Sequence, residues 1–93
     1  EGCLDYQTVY DKAPIGVAKM AKLNCIPVIA ISGSLGERHS EVYQHGIDAA
    51  SSIIQAPMSL DEASTQAYYL IASATERAIR LMQVGVSVFK IDA

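Results

Sequence analysis

The sequence contains no hydrophobic run long enough to cross a bilayer, which takes about 18 apolar residues, so we expect no membrane partner. It also lacks a basic patch, because acidic and basic residues are interspersed and the net charge is −3. Without such a patch the chain has little means of displacing counterions from DNA or RNA, so we expect no nucleic-acid partner. No signal peptide opens the sequence, and since it begins at Glu1 without a methionine we expect a processed start or a fragment.

Cysteine is scarce, and the two present form no metal-binding pattern. Cys3 and Cys25 make no C-x-x-C pair and no ligand spacing with His39 or His45. A disulfide between them is compatible with the sequence, but a reduced thiol pair is the simpler interpretation. We therefore expect a cytoplasmic protein.

Hydrophobic residues make up 51% of the 93 residues, which is typical of a folded chain and not of a disordered one. Residues 1–93 are predicted to form a single α/β segment. Periodicity and capping signals predict five elements in order. The first three are a helix over Ile15–Leu23 with Pro14 in its first turn, a strand at Val28–Ile31, and a short helix over His39–His45 ended by Gly46. The last two are a strand at Ala49–Ile54 and a long helix that is opened by the Ser59–Glu62 capping box and ended by Gly85. Residues 86–93 are predicted to be an edge strand or a tail.

Alternation of helices and strands favours parallel strands joined by right-handed crossovers. The strand at Val28–Ile31 is continuously apolar, which indicates burial on both faces. The predicted fold is a partial Rossmann-like, three-layer α/β unit with a short parallel sheet, flanking helices and a long C-terminal helix. So few strands leave unpaired edges, and we expect missing strands or a partner, such as a second copy of the chain, to cover them.

Polar residues near the start of the chain are the first candidate site, because ligands of open α/β sheets bind beyond the carboxyl ends of strands. Glu1 and Asp5 are candidate ligands of Mg²⁺, which prefers carboxylate and phosphate oxygens. Asp5 is alternatively a catalytic base for a substrate hydroxyl, or only the N-cap of a turn through Gln7 and Thr8. Lys12 is either a phosphate-binding cation or a solvated lysine.

The loop from Ser32 to Gly36 is the second candidate site, with Ser32, Gly33 and Ser34 as its candidate phosphate-binding residues. Small residues and backbone N–H groups close to a helix start suit a phosphate group, although the alternative is a simple turn. The loop is not a P-loop, because no Gly-Lys-Ser/Thr follows it.

Two motifs carry a resemblance to type I glycerate kinases. E-G-C-L-D-Y-Q-T at residues 1–8 and K-A-P-I-G-V-A at residues 12–18 are similar to that family's E-G-x-[IL]-D-x-Q-[TS] and G-K-x-P-x-G-V-A motifs. The similarity continues through Gly33–Leu35, His45–Ala49 and Ser59–Ala63, and covers nearly the whole chain up to about Gly85. It departs at Cys3, where the family usually has arginine, at Asp11, where it has glycine, and at Tyr6, which replaces a smaller residue.

The resemblance implies that the chain is the C-terminal part of a larger, two-domain α/β enzyme, with a strand immediately upstream. It implies transfer of the γ-phosphoryl group of ATP to D-glycerate, giving 2-phosphoglycerate in organic acid metabolism, with Mg²⁺ accompanying ATP. Asp5 would be the catalytic or metal-linked carboxylate. Its substrate- or phosphate-binding neighbours would be Glu1, Gly2, Gln7, Thr8 and Lys12.

Two hypotheses follow from the sequence. In the first, the chain is part of an enzyme and is inactive when isolated, because the upstream part of the pocket is missing. In the second, it is a non-catalytic assembly or binding module that associates through exposed strand edges or helix faces.

Overall fold

A computed structural model describes residues 2–10 and 12–89 of the chain. Its elements are β1 (Cys3–Leu4), a first 3₁₀ helix (Tyr6–Val9), α1 (Ala13–Leu23), β2 (Ile29–Ser32), β3 (Ser34–Leu35), a second 3₁₀ helix (His39–His45), β4 (Ala49–Ser52), α2 (Leu60–Thr65) and α3 (Ala67–Phe89). The predicted order of helix, strand, helix, strand and long helix is present. Two short strands and a helix break are added to it.

The strands pair in parallel, as the alternation of elements predicted. Cys3 of β1 lies opposite Ser34 of β3, and Ile29 of β2 lies opposite Ala49 of β4. Only Gly33 separates β2 from β3, so these two strands follow each other directly along the chain. The first of them pairs with β4 and the second with β1. Within the described residues the strands thus form two short parallel sheets of two strands each, β1 with β3 and β2 with β4. The α/β class, the parallel pairing, the flanking helices and the long C-terminal helix are therefore confirmed.

The first strand and the end of the last strand differ from the prediction. β1, which was not predicted, has only two residues, too few to show an alternating pattern, and of these only Leu4 is buried. β4 ends at Ser52 and not at Ile54, because the Ser52 hydroxyl accepts the Ile54 N–H at 3.0 Å and turns the chain. Ile53 is nevertheless buried. The apolar run therefore predicted correctly that this residue packs in the core, but it did not predict where the strand ends.

Two apolar cores lie on opposite faces of the sheet, because successive strand residues point to opposite faces. Ala30 of β2 packs against the first core and Ile31 against the second. The first core contains the buried side chains Leu4, Ile15, Ala18, Val42 and Ile47. The second contains Ile53, Leu70 and Ala74. Helix α1 and the second 3₁₀ helix thus cover one face and α3 covers the other, which gives the three predicted layers.

The helix ends of the first layer follow local signals. Pro14 lies in the first turn of α1, where its missing N–H has no intrahelical partner to lose, and Asn24 caps the other end. The second 3₁₀ helix ends at Gly46, whose φ of 100° is in the left-handed region that glycine tolerates. A Cβ on Gly46 would lie 3.2 Å from the Cβ of Ala18. Glycine at this position therefore also permits close packing on α1.

The C-terminal helix begins as predicted but is interrupted early and does not end at Gly85. Ser59 forms the predicted capping box, in which the Glu62 N–H donates to the Ser59 hydroxyl at 3.1 Å. The break follows Thr65, whose hydroxyl donates to the Asp61 carbonyl at 2.9 Å, a local bond that tends to bend helices. Gly85 lies within α3 because an interior glycine costs only about 1 kcal/mol, too little to end a long helix.

Helix α3 extends through Phe89, so residues 86–89 are helical and do not form the edge strand that was one of two predictions for 86–93. The remainder of that range lies outside the described residues. The weak alternation of Val86 and Val88 suggested a strand, but continuing the helix pairs their backbone groups without a sheet partner. No helix within residues 2–10 and 12–89 is both long enough and apolar enough to cross a membrane.

An ion pair links the end of α1 to the start of β4. The ammonium of Lys22 contacts Oδ2 of Asp48, and the same oxygen accepts the Val28 N–H at 2.7 Å. The hydrogen bond from Lys22, and next the one from Val28, hold the pKa of the Asp48 carboxyl below its ordinary value of 3.8.

We predict that Asp48→Asn lowers the free energy of unfolding at neutral pH but not in acid. A carboxyl whose pKa is depressed in the folded state contributes stability above its unfolded pKa, and this contribution is lost as the pH falls through the folded pKa. The variant and the wild type should therefore differ above about pH 4 and converge below it. Urea unfolding across this pH range tests the prediction, with Glu37→Gln as an exposed-carboxylate control. An equal gap at every pH would contradict it.

Candidate functional site

The carboxyl ends of β1 and β3 meet at one edge of the sheet. Leu4 lies opposite Leu35 in the parallel register, so the residues that follow them, Asp5 and Gly36, are neighbours. A Cβ placed on Gly36 would lie 3.0 Å from the Cβ of Asp5. Asp5 therefore stands at the strand ends, where open α/β sheets bind ligands.

The carboxylate of Asp5 has one oxygen engaged by the backbone and the other turned toward Gly36. Oδ1 accepts the Gln7 N–H at 2.9 Å and caps the first 3₁₀ helix. Oδ2 lies 3.7 Å from the point that a Cβ on Gly36 would occupy, and so faces backbone without a side chain. The N-cap hypothesis for Asp5 is confirmed. This cap is compatible with a role in binding or catalysis, because a carboxylate oxygen offers two lone pairs.

Thr8 completes the cap from inside the protein. Its side chain is buried, with 1% exposure, and its hydroxyl oxygen accepts the Asp5 N–H at 3.0 Å. A substrate-facing role for Thr8 was predicted, but the structure places this hydroxyl against Asp5 and away from the surface.

We predict that Thr8→Val lowers the free energy of unfolding by about 1–3 kcal/mol, because the Asp5 N–H loses its acceptor and valine offers none in its place. Thr8→Ser, which keeps the hydroxyl, should lose less than half as much. Urea unfolding of both variants checks this. A Thr8→Val variant that loses no more stability than Thr8→Ser would contradict the prediction, because valine keeps a methyl group and lacks only the hydroxyl that accepts the Asp5 N–H.

Gly36, the last residue of the second candidate loop, lies beside Asp5, a contact that the sequence patterns did not predict. A Cβ on this residue would lie 2.9 Å from the Cys3 sulfur as well as 3.0 Å from the Cβ of Asp5. Glycine at this position thus leaves room for the Asp5 side chain. A glycine directly after a strand was the only available signal, and it does not distinguish such a role from a simple turn.

The backbone of the second candidate site, Ser32-Gly33-Ser34, is engaged within the sheet. The Ser34 N–H donates to the Gly2 carbonyl at 2.9 Å, while the buried Ser32 hydroxyl donates to the Ser34 carbonyl at 2.8 Å. The N–H of Gly36, further along the loop, donates to Leu4 at 2.8 Å. These bonds direct the loop toward β1, and two N–H groups of the predicted phosphate cradle are already paired.

A cleft of about 350 Å³ opens where this loop meets α2 and α3. Three predicted site residues, Gly2, Gly33 and Ser34, form one wall. The opposite wall combines Ser59 and Ser64 with the apolar side chains of Ile53, Ile54, Met58 and Leu60. The cleft lies beyond the carboxyl ends of β2 and β4, and Asp5 is not among its lining residues.

Two other predicted site residues, Gln7 and Lys12, lie at the surface. Gln7 is exposed and donates from Nε2 to the Tyr6 hydroxyl at 3.3 Å. Lys12 is exposed and precedes α1 without a side-chain capping bond. Glu1, the second predicted magnesium ligand, and Asp11, a departure from the family motif, lie outside the described residues.

Comparison with known proteins places the chain in one family. The family model described as "Glycerate kinase family" matches residues 1–83. A glycerate kinase of Halalkalibacterium halodurans is 57% identical over 74 residues, covering 80% of this chain and 20% of that protein. A glycerate kinase of Bacillus subtilis is 43% identical over 90 residues, covering 97% of this chain and 22% of that protein.

A glycerate 2-kinase of Escherichia coli is 42% identical over 85 residues, covering 91% of this chain and 22% of that protein. The chain thus spans about a fifth of the length of the curated relatives it matches. No solved structure matches it significantly.

Proposed function

The chain belongs to the glycerate kinase family, and from that membership we propose that it is part of an enzyme that transfers the γ-phosphoryl group of ATP to D-glycerate. We further propose 2-phosphoglycerate as the product, with support from the relative named glycerate 2-kinase. The proposed activity belongs to the complete enzyme that contains this chain.

The position of Asp5 is the observation that supports the proposal most directly. Its carboxylate stands at the ends of β1 and β3, with Oδ1 held by the Gln7 N–H and Oδ2 facing Gly36. A carboxylate held in this way can accept the proton of a glycerate hydroxyl as that oxygen bonds to the γ-phosphorus. The bond between the γ-phosphorus and the bridging oxygen of ATP breaks, and ADP leaves.

Asp5 also fits a second role, as a ligand of the magnesium ion that accompanies ATP. Mg²⁺ is commonly held by one or two carboxylates together with substrate phosphates. Within residues 2–10 and 12–89 no three His, Cys, Asp or Glu side chains come together as a metal site. Asp5 would therefore be the carboxylate from this part of the chain, with Glu1 as the proposed second ligand. When bound, the ion neutralises charge on the phosphoryl group.

Gln7 and Lys12 are the proposed polar neighbours of the reacting groups. Both are exposed, and both belong to the segment that leads from Asp5 into α1. An amide and an ammonium can donate to phosphate or carboxylate oxygens without a change in the fold. Gly2 contributes its backbone, since it has no side chain to hinder a ligand at the surface.

We propose that an upstream segment of the same polypeptide completes the pocket. An apolar groove of about 350 Å³ lies beside β2, with Leu4, Pro14, Val17 and Ile31 among its lining residues. β1 and β3 pair in parallel, with Cys3 opposite Ser34. If the chain upstream of β1 continued this strand in the same register, it would pass Gly33 and then run beside β2, in this groove. Such a strand would also cover apolar surface left open in the isolated chain, which we therefore expect to be inactive.

A coupled ADP-release assay tests the proposed function. The complete enzyme should release ADP only when both D-glycerate and magnesium-ATP are present, and NMR of the product should show 2-phosphoglycerate. The isolated 93-residue chain should give no turnover under the same conditions. A complete enzyme that binds neither substrate in calorimetry would favour the non-catalytic module, and light scattering would then show whether it assembles through its exposed edges.

A further inference from the structure

Arg38 lies on a loop that is fastened across the residues following β1. The Gly36 N–H donates to the Leu4 carbonyl at 2.8 Å, and the Tyr6 N–H donates to the Glu37 carbonyl at 3.1 Å. These two bonds hold the loop after β3 directly against the start of the first 3₁₀ helix. Arg38 is therefore placed beside the candidate site although it is far from that site in sequence.

The backbone of Arg38 adopts a conformation that residues with side chains rarely use. Its φ of 50° and ψ of 36° are left-handed, a region that glycine enters without strain. Strained backbone of this kind is concentrated at functional sites. The guanidinium carbon lies 4.2 Å from the centroid of the Tyr6 ring, and stacking on the ring restricts the orientation of the charged group.

The hydrogen-bond donors of Arg38 are available to a ligand. In the part of the chain that the structure describes, its guanidinium takes part in no ion pair and no hydrogen bond, in contrast to the arginines of α3. Arg77 donates to Ser73 and Arg80 to Glu76, each at 2.9 Å. Arg38 is thus oriented by an aromatic ring, and none of the residues that the structure describes pairs with its planar fork of donors.

We propose that Arg38 binds a carboxylate or phosphate group of the substrates, next to Asp5. This inference rests on the proposed kinase function and adds to it a cation that none of the sequence motifs contains. A guanidinium donates two parallel hydrogen bonds to either anion. The anion is the carboxylate of glycerate or a phosphate of ATP, and separate KM values distinguish the two.

The test uses Arg38→Gly in the complete enzyme. Glycine fits the left-handed backbone, so the melting temperature should be unchanged or higher, while the guanidinium is removed. We expect the KM of one substrate to rise by about tenfold or more, the usual effect of losing a charge-assisted hydrogen bond. A rise for D-glycerate identifies the carboxylate, and a rise for magnesium-ATP identifies a phosphate. Arg38→Lys keeps the charge without the fork and should give a smaller rise.

Arg80→Ala serves as the matched control, because it removes an exposed arginine from α3 and should leave both KM values unchanged. Unchanged KM values for Arg38→Gly in an active enzyme would overturn the inference and leave the proposed function intact. A lower melting temperature with unchanged KM values would also overturn it, because Arg38 would then act only in packing on Tyr6. An inactive wild-type enzyme would overturn the proposed function itself, and this inference with it.

Discussion

Replacement of Asp5 by asparagine in the complete enzyme is expected to lower kcat by about a hundredfold or more. Asparagine keeps an oxygen that can accept the Gln7 N–H, so the cap of the first 3₁₀ helix should survive. It removes the negative charge that would accept the proton of the glycerate hydroxyl or bind magnesium. The loss should therefore appear in turnover and not in folding. Coupled ADP release at saturating D-glycerate and magnesium-ATP measures it.

Two controls make this result specific to the site. Asp61→Asn changes an exposed carboxylate at the start of α2, away from the strand ends, and should leave kcat unchanged. The melting temperature of Asp5→Asn should stay near that of the wild type, since the capping geometry is retained. Near-normal turnover of Asp5→Asn would remove Asp5 from the chemistry and leave it as a helix cap alone.

Asp5 shows how far the sequence could define the candidate site. The residue type, its place after a strand and the polar residues behind it predicted both a helix cap and a functional carboxylate, as alternatives. The structure makes them compatible, because Oδ1 holds the cap while Oδ2 faces Gly36. Local sequence predicted the cap, which the structure confirms, and the functional carboxylate, which stays a prediction. Only the pairing of β1 with β3 shows that the second carboxylate oxygen lies beside Gly36.

The contacts at the candidate site that sequence analysis did not predict join distant segments of the chain. Gly36 matters because β1 and β3 are paired, and a two-residue strand such as β1 gives no periodic signal. Arg38 reaches the site through hydrogen bonds from its loop to Leu4 and Tyr6. The Ser34 N–H, predicted to face a phosphate, instead donates to Gly2 for the same reason. Each of these facts follows from strand register, which no short motif encodes.

Helix boundaries were easier to predict because the interactions that define them are local. The capping box of Ser59 and the left-handed Gly46 lie within a few residues of the helices they limit, and both are as predicted. The C-terminal helix departs from the prediction in two places, where it breaks after Thr65 and where it continues past Gly85. The side-chain bond of Thr65 does not distinguish a break, because Thr75 makes the same bond within α3, and Gly85 opposes a helix by only about 1 kcal/mol.

The pairing of β1 with β3 is the feature on which the whole site depends, and Gly33→Ala should disrupt it. A Cβ on Gly33 would lie only 2.5 Å from the Gly2 carbonyl oxygen, which accepts the Ser34 N–H. The obstacle is backbone, so no side-chain rotation can relieve the clash and the strands must separate. Overpacking of this kind costs about 1–3 kcal/mol, and the lost hydrogen bond costs about 1 kcal/mol more.

Separating β1 from β3 should also displace Asp5 from Gly36, so Gly33→Ala is expected to lower both the free energy of unfolding and kcat. Gly16→Ala is the matched control, because a Cβ there meets nothing within 4 Å and lies in α1, where alanine favours the helix. Urea unfolding and ADP release of the complete enzyme measure the two effects together. If Gly33→Ala folded and turned over like Gly16→Ala, the close approach of β1 to the Gly33 loop would be absent in solution, and the placement of Asp5 beside Gly36 would lose its support.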